Sequence, residues 1–241
     1  MTLPVVLQTR QLCKNFAGVV AVKDVDFVLK AGELRCLIGP NGAGKSTFFK
    51  CVTGLFRPTS GEVEVLGENV VGWESFMIAR LGVGIKTQVP SLFGELSVWD
   101  NVWLGARRSS GKAMSRSCAE GALERIGIPE LRSKQVNQLA HGQRQLVELA
   151  VVLAASPRVI LLDEPAAGMS LDESQRIAEI IRGLSRTAAI IVVEHDMRFM
   201  RVLGAAATVF HQGSILIEGD MNEVLDHPVV RDVYLGRRAA A

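Results

Sequence analysis

A nine-residue segment, residues 39–47, has the residue types and spacing of a loop that binds phosphate, G-x-x-x-x-G-K-[ST]. Its glycines let successive backbone amides turn toward an anion, and the helix predicted after it adds partial positive charge. Lys45 would reach the last two phosphates of a chain, and the Ser46 hydroxyl would hold Mg²⁺. A glycine-rich turn without a ligand would not explain these two residues. This phosphate loop consists of Gly39, Pro40, Asn41, Gly42, Ala43, Gly44, Lys45, Ser46 and Thr47.

Two adjacent acids, Asp163 and Glu164, follow a continuous apolar run at residues 159–162. Such a run is typical of a strand buried on both faces of a parallel sheet, and ligands bind at the carboxyl ends of these strands. Because neighbouring side chains of a strand point to opposite faces, Asp163 can face Mg²⁺ while Glu164 faces an attacking water. His195 follows a second predicted buried strand, where it can contact a terminal phosphate, although a lone histidine is more often structural.

The elements around these residues predict an α/β fold. Residues 34–38 form a short apolar strand before the phosphate loop, and residues 48–52 continue after it as a helix. Two further strands are predicted at residues 5–12 and 21–29, with Phe16 between them. An aromatic ring in this place can stack on a purine or belong to the core, and the sequence leaves both alternatives open.

The hydrophobic period changes to that of helices between residues 90 and 138. Ser97 and Asp100 resemble a capping box that begins one helix, and a second helix is predicted at residues 114–126. We therefore expect one domain, residues 1–241, with a helical subdomain at residues 90–138. Residues 1–89 and 139–241 would form the sheet core and a smaller β subdomain.

The composition excludes several classes of protein. The chain has 241 residues, a formal net charge of +2 and 22% charged residues, a balance that does not suggest a nucleic-acid partner. No apolar run approaches the roughly 18 residues that span a bilayer, and the first ten residues lack the pattern of a signal peptide. The four cysteines have no metal-ligand spacing, so we expect them to be reduced packing residues of a cytosolic protein.

Taken together, the motifs resemble those of an ATP-binding-cassette (ABC) ATPase over nearly the whole chain. The phosphate loop, Gln88, residues 139–143, residues 161–165 and residues 194–196 occur in the order and spacing of that family. The resemblance implies a P-loop NTPase fold with a RecA-like sheet core, an antiparallel β subdomain and an inserted α-helical subdomain. It also implies a dimer that encloses two ATP molecules with Mg²⁺.

The same resemblance implies roles for individual residues. Glu164 corresponds to the general base, His195 to the histidine on the γ-phosphate, and Phe16 to the aromatic residue that stacks on adenine. Gln88 corresponds to the glutamine that senses Mg²⁺ and water, so the implied metal site comprises Ser46, Gln88 and Asp163. Residues 139–143, here called the signature segment, would contact the ATP of the partner subunit. The implied contacts come from Ala140, His141, Gly142 and Gln143.

Residues 163–169 and 193–197 are similar to those of branched-chain amino acid importers, while residues 141–143 and 232–236 resemble their urea and amide relatives. This implies an importer ATPase on the inner face of the cell membrane. Its partners would be a second ATPase subunit, homo- or heterodimeric, integral membrane permease subunits and, indirectly, a periplasmic or extracellular substrate-binding protein. The alternatives are a soluble ABC ATPase that acts on ribosomes or nucleic acid, and a non-catalytic scaffold, which the intact Asp163 and Glu164 argue against.

The signature segment departs from the usual Leu-Ser-Gly-Gly-Gln, because Ala140 replaces the serine and His141 the first glycine. The missing hydroxyl removes one hydrogen bond to a charged phosphate, worth about 1.5–3 kcal/mol. Amides at the start of the following helix would remain. We therefore expect a heterodimer, in which this subunit's own ATP meets a better signature from its partner. Ser170 stands where many cassettes carry aspartate, but its predicted capping box with Glu173 gives it a local structural role.

Overall fold

Two β-sheets organise the computed structural model, which describes residues 3–88, 91–109 and 111–234. The first sheet is antiparallel, and its four strands are β1 (Val5–Phe16), β2 (Val19–Lys30), β4 (Ser60–Val65) and β5 (Glu68–Asn69). The second has six strands, namely β3 (Leu34–Ile38), β6 (Val83–Lys86), β7 (Val159–Asp163), β8 (Ala189–Val193), β9 (Ala206–His211) and β10 (Ser214–Asp220).

The six-stranded sheet has the order β10-β9-β3-β8-β7-β6. Its strands run parallel except for β10, which forms an antiparallel hairpin with β9. The strands β3, β7 and β8, which lead to the phosphate loop, Glu164 and His195, are neighbours in the middle of this sheet. Their carboxyl ends therefore meet at one edge, where parallel sheets bind ligands.

Nine helices lie in the described residues. They are α1 (Lys45–Val52), α2 (Ser75–Arg80), α3 (Val98–Ala106), α4 (Lys112–Ile126), α5 (His141–Ala154), α6 (Leu171–Leu184), α7 (Met197–Leu203), α8 (Met221–Asp226) and α9 (Pro228–Tyr234). Within the described part of the chain, none of them has the length and apolar character that a bilayer crossing requires.

The central strands divide the core into two apolar clusters. All five residues of β7 are buried, and they alternate between clusters: Val159 and Leu161 face one, Ile160 and Leu162 the other. The first cluster also contains residues of the antiparallel sheet and α1, and the second contains residues of α3 to α7. Burial on both faces explains why the run at residues 159–162 is continuously apolar.

Strand β1 is longer than the sequence predicted. It continues past Leu12 to Phe16, although Gln11 has a positive φ of 45° and the pairing register with β2 shifts nearby. A bulge of this kind keeps a strand paired while changing its alternation, so the polar Lys14 and Asn15 still belong to the sheet. Phe16 therefore ends a strand and does not lie in a loop.

Helices α3 and α4 pack on each other and on α5. The predicted cap is present, since the Ser97 Oγ accepts a hydrogen bond from the Asp100 amide at 3.0 Å. An isolated β-bridge between Ser97 and Gln135 joins the residue before α3 to the chain that connects α4 to α5. The helix predicted from residue 114 begins two residues earlier, at Lys112, with Gly111 as its N-cap.

Candidate functional site

The phosphate loop connects β3 to α1, as its sequence requires. Gly39 has a φ of 145° and Gly44 a φ of 106°, backbone conformations that side chains rarely adopt. A Cβ at Gly39 would overlap the Phe210 carbonyl oxygen, and one at Gly44 would lie 2.5 Å from the Ala21 carbonyl oxygen. Both positions therefore need glycine for backbone conformation and for space.

Lys45 lies at the first turn of α1 and is 8% exposed. Its Nζ donates hydrogen bonds to the carbonyl oxygens of Gly39, at 2.6 Å, and Pro40, at 3.0 Å. Burial lowers the pKa of Lys45, and the nearby Glu164 and Asp163 carboxylates oppose that shift. The ammonium group is thus held inside the loop, close to the place where phosphates would lie.

Glu164 connects three segments that are far apart in sequence. Its Oε2 accepts a hydrogen bond from the Gln88 Nε2 at 2.9 Å, and its Oε1 lies 3.3 Å from the His195 Nδ1. The backbone amide of Glu164 donates to the Val193 carbonyl at 2.9 Å, and its φ is +47°. This left-handed conformation, rare for a residue with a side chain, turns the carboxylate from β7 toward the cleft.

Asp163 is the last residue of β7 and is buried. Burial raises the pKa of Asp163, and repulsion from Glu164 raises it further, while Lys50, Lys86 and Lys45 oppose the shift. A divalent cation at this position would relieve both effects. Asp163 is thus a chemically suitable ligand for Mg²⁺.

Mg²⁺ usually binds through one or two carboxylates together with substrate phosphates. The described residues contain no group of three or more His, Cys, Asp or Glu side chains able to hold a metal on their own. Asp163 and the Ser46 hydroxyl, which lines the cleft, therefore fit a metal that is completed by nucleotide oxygens.

A cleft brings nine of the predicted residues together. Three residues that line it, Ala21, Val193 and Glu194, had no predicted role. Glu194 is 2% exposed, and its carboxylate accepts hydrogen bonds from the amides of Ala166, at 3.2 Å, and His195, at 3.1 Å. It thereby fixes the backbone two residues after Glu164 and at His195 itself. The predicted residues in the lining are Asn41, Gly42, Ala43, Gly44, Lys45, Ser46, Thr47, Glu164 and His195.

Phe16 is not part of this lining. The residue is 39% exposed, and its ring packs edge-on against Phe56, with ring centroids 5.2 Å apart. The Lys14 Nζ lies 4.8 Å from the centre of the Phe16 ring. An exposed ring at the end of β1 is available for stacking, and its contact with adenine stays a prediction.

The signature segment lies at the start of α5 and does not line the cleft either. Ala140 is the N-cap of α5 and has no side-chain oxygen to cap it, while the Gln143 Oε1 accepts from the Ala140 amide at 3.2 Å. The His141 Nε2 lies 2.9 Å from the Ala167 carbonyl oxygen. A Cβ at Gly142 would overlap the Glu173 carboxylate. The segment therefore packs against residues that follow Glu164 in the same chain.

The capping box predicted after these residues is present at the start of α6. The Ser170 Oγ accepts from the Glu173 amide, and the Glu173 Oε2 accepts from the Ser170 amide at 2.9 Å. Hydrogen bonds from Ser170 also lower the pKa of Glu173. Ser170 thus has the local structural role expected of it.

Comparison with known proteins agrees with this geometry. The sequence profile described as "ABC transporter" matches residues 22–167. The high-affinity branched-chain amino acid transport ATP-binding protein LivG of Salmonella typhimurium is 33% identical over 250 residues, covering 95% of this chain and 97% of LivG. The lipopolysaccharide export system ATP-binding protein LptB of Acidithiobacillus ferridurans is 35% identical over 232 residues, covering 95% of this chain and 96% of LptB.

Among solved structures, the ADP conformation of MJ1267, an ATP-binding cassette of an ABC transporter, superimposes with a TM-score of 0.88. It covers 97% of this chain and 99% of MJ1267 at 24% sequence identity, which bears on the fold alone. The predicted fold class, a P-loop ABC-ATPase with an α/β core, is therefore confirmed. On the profile match and on the extent of the similarity to LivG, this chain belongs to the ABC transporter family.

Proposed function

We propose that the chain is the ATP-binding subunit of an ABC importer, which hydrolyses ATP to drive uptake through a separate permease. The observation that carries the hydrolytic part is the position of Glu164 in the phosphate-loop cleft, between Gln88 and His195. The similarity to LivG supports an importer and favours branched-chain amino acids as substrates. Urea or short amides are the second candidates, because residues 141–143 and 232–236 resemble the urea and amide importers.

The residues of the cleft suit phosphoryl transfer from ATP to water. Lys45 and the amides at the start of α1 would neutralise charge on the β- and γ-phosphates. Glu164 would orient and polarise the water in line with the γ-phosphate, and His195 would contact that phosphate. Mg²⁺, held by Ser46 and Asp163 with help from Gln88, would supply charge neutralisation. Catalysis of this kind depends on positioning and electrostatics more than on covalent chemistry.

We further propose a dimer in which the signature segment completes the partner's site, because this segment does not line its own cleft. Closure would last only while the γ-phosphate contacts both subunits, so hydrolysis would release it. Ala140 would weaken the partner's site, which favours a heterodimer over a homodimer. We also propose residues 90–138 as the helical subdomain that docks on the permease at the inner face of the membrane.

Two experiments test the transport assignment. Co-purification with integral membrane subunits supports the importer, whereas co-purification with ribosomes or nucleic acid would favour the soluble alternative. ATP-dependent uptake of branched-chain amino acids, urea and short amides would then be measured in vesicles that carry the complete complex. ATP-dependent extraction of lipopolysaccharide, with no uptake, would contradict the importer and favour the activity named for LptB.

Replacing Ala140 by serine is expected to speed ATP turnover of the assembled dimer, by about tenfold or more if the hydroxyl regains one hydrogen bond to a charged phosphate. The same hydroxyl would cap α5 and stabilise the subunit by about 1 kcal/mol, because Ala140 is its N-cap. Turnover and thermal unfolding are therefore measured together. Ala113→Ser, which adds a hydroxyl at an exposed position of α4, is the control. An unchanged rate would contradict the phosphate contact.

A further inference from the structure

A buried ion pair joins the strand before Gln88 to the helix that begins at the signature segment. The Lys86 Nζ, at the end of β6, lies 3.2 Å from the Glu148 Oε2 on α5. Their side chains are 3% and 6% exposed. The Glu148 Oε2 has no hydrogen-bond partner among the described residues, so the charge of the Lys86 ammonium is what compensates its burial.

The second oxygen of Glu148 holds the chain on the other side of Gln88. The Glu148 Oε1 accepts a hydrogen bond from the Ser91 amide at 3.2 Å. One carboxylate therefore contacts the chain two residues before Gln88 and three residues after it. Gln88 itself donates a hydrogen bond to Glu164 at 2.9 Å. Glu148 therefore holds the residues around Gln88, and Gln88 in turn contacts the proposed general base.

The first turn of α5 contacts the segment after Glu164 as well. Glu148 is seven residues, or about two helical turns, beyond His141. The His141 Nε2 lies 2.9 Å from the Ala167 carbonyl oxygen. Helix α5 is thus connected to Glu164 from two directions, through Gln88 by Glu148 and through the following loop by His141.

We infer that Lys86 and Glu148 are positioning residues for ATP hydrolysis, which fix the loop carrying Gln88 to α5 so that Gln88 meets Glu164. This inference rests on the proposed ATPase function. Neither residue touches the nucleotide site directly, since neither lines the cleft. A buried ion pair is a poor source of stability, because desolvation offsets most of the attraction, so positioning is a better explanation of its presence.

The test replaces the pair by apolar residues of similar size, Lys86→Met together with Glu148→Leu. Such replacements of buried ion pairs usually preserve folding, whereas Glu148→Gln alone would leave a buried charge without its partner. We expect the double variant to bind ATP normally and to keep its KM, while kcat falls about tenfold or more, because a small displacement of a catalytic group has large kinetic effects. Glu218→Gln, which removes a carboxylate paired with Arg35 outside the cleft, is the control and should keep full activity.

A second readout does not depend on activity. In the double variant, hydrogen exchange of the Ser91 amide should become faster, because its acceptor is removed. A folded double variant with wild-type kcat and unchanged Ser91 exchange would overturn the inference and leave the proposed function intact. If the wild-type dimer showed no turnover, the proposed function would fail instead. Exchange at Ser91 would then decide whether the pair fixes this loop.

Discussion

Replacing Glu164 by glutamine is expected to lower kcat by at least about 100-fold, the usual contribution of a general base, while ATP binding is retained. The amide has the shape of the carboxylate but cannot accept a proton from water. In the variant, the Gln88 Nε2 faces a neutral amide in place of the carboxylate oxygen that now accepts its hydrogen bond at 2.9 Å. Steady-state turnover and equilibrium binding of ATP, measured on the same preparation, separate the two effects.

The matched control is Glu179→Gln, the same chemical change at an exposed position of α6. It should leave turnover and the melting temperature unchanged. Glutamine has nearly the size and shape of glutamate, and the Glu164 side chain is only partly buried, so Glu164→Gln should also fold normally. Normal turnover in that variant would remove Glu164 from the proposed role and leave the chemistry to another group.

The parts of the site that are local in sequence could be predicted from it. The phosphate loop, the apolar run before Asp163 and the capping box at Ser170 each depend on residues within a few positions of one another. In such segments the backbone requirement and the residue types coincide. This is why the strand, loop and helix around Lys45 were predicted in the right order.

Contacts between distant segments could not be predicted in this way. Gln88 and Glu164 are 76 positions apart, and the Lys86–Glu148 pair crosses from a strand to a helix. No periodicity or spacing identifies such partners, because they depend on how elements pack. The longer β1 had a different cause, since a bulge at Gln11 changes the alternation on which the prediction relied.

His141 also makes a contact that could not be predicted from the sequence. From the sequence it was a departure from the usual signature, and its consequence was expected at the partner's ATP. The structure adds a contact within the chain, from the His141 Nε2 to the Ala167 carbonyl oxygen. A ring of this size spans the distance from α5 to the segment after Glu164, which a glycine could not do.

Replacing Lys45 by alanine is expected to weaken ATP binding itself, by about 100-fold. This corresponds to about 3 kcal/mol, the value of one or two hydrogen bonds to charged phosphate oxygens. Glu164→Gln and Lys45→Ala should therefore differ in kind, since the first loses turnover and the second loses affinity. Titration calorimetry with ATP, with and without Mg²⁺, measures the difference directly.

The control is Lys30→Ala, which removes an exposed ammonium at the far end of β2, about 30 Å along the strand from the cleft residue Ala21. Its affinity for ATP should equal that of the wild type.

Lys45→Ala loses two hydrogen bonds to the Gly39 and Pro40 carbonyls. It also removes a charge whose burial is unfavourable, the same desolvation that lowers the pKa of Lys45. These effects oppose each other, so the melting temperature should change little. A loss of affinity without a loss of stability would then be due to the lost contact with phosphate. Wild-type affinity in Lys45→Ala would contradict the proposed role of the phosphate loop.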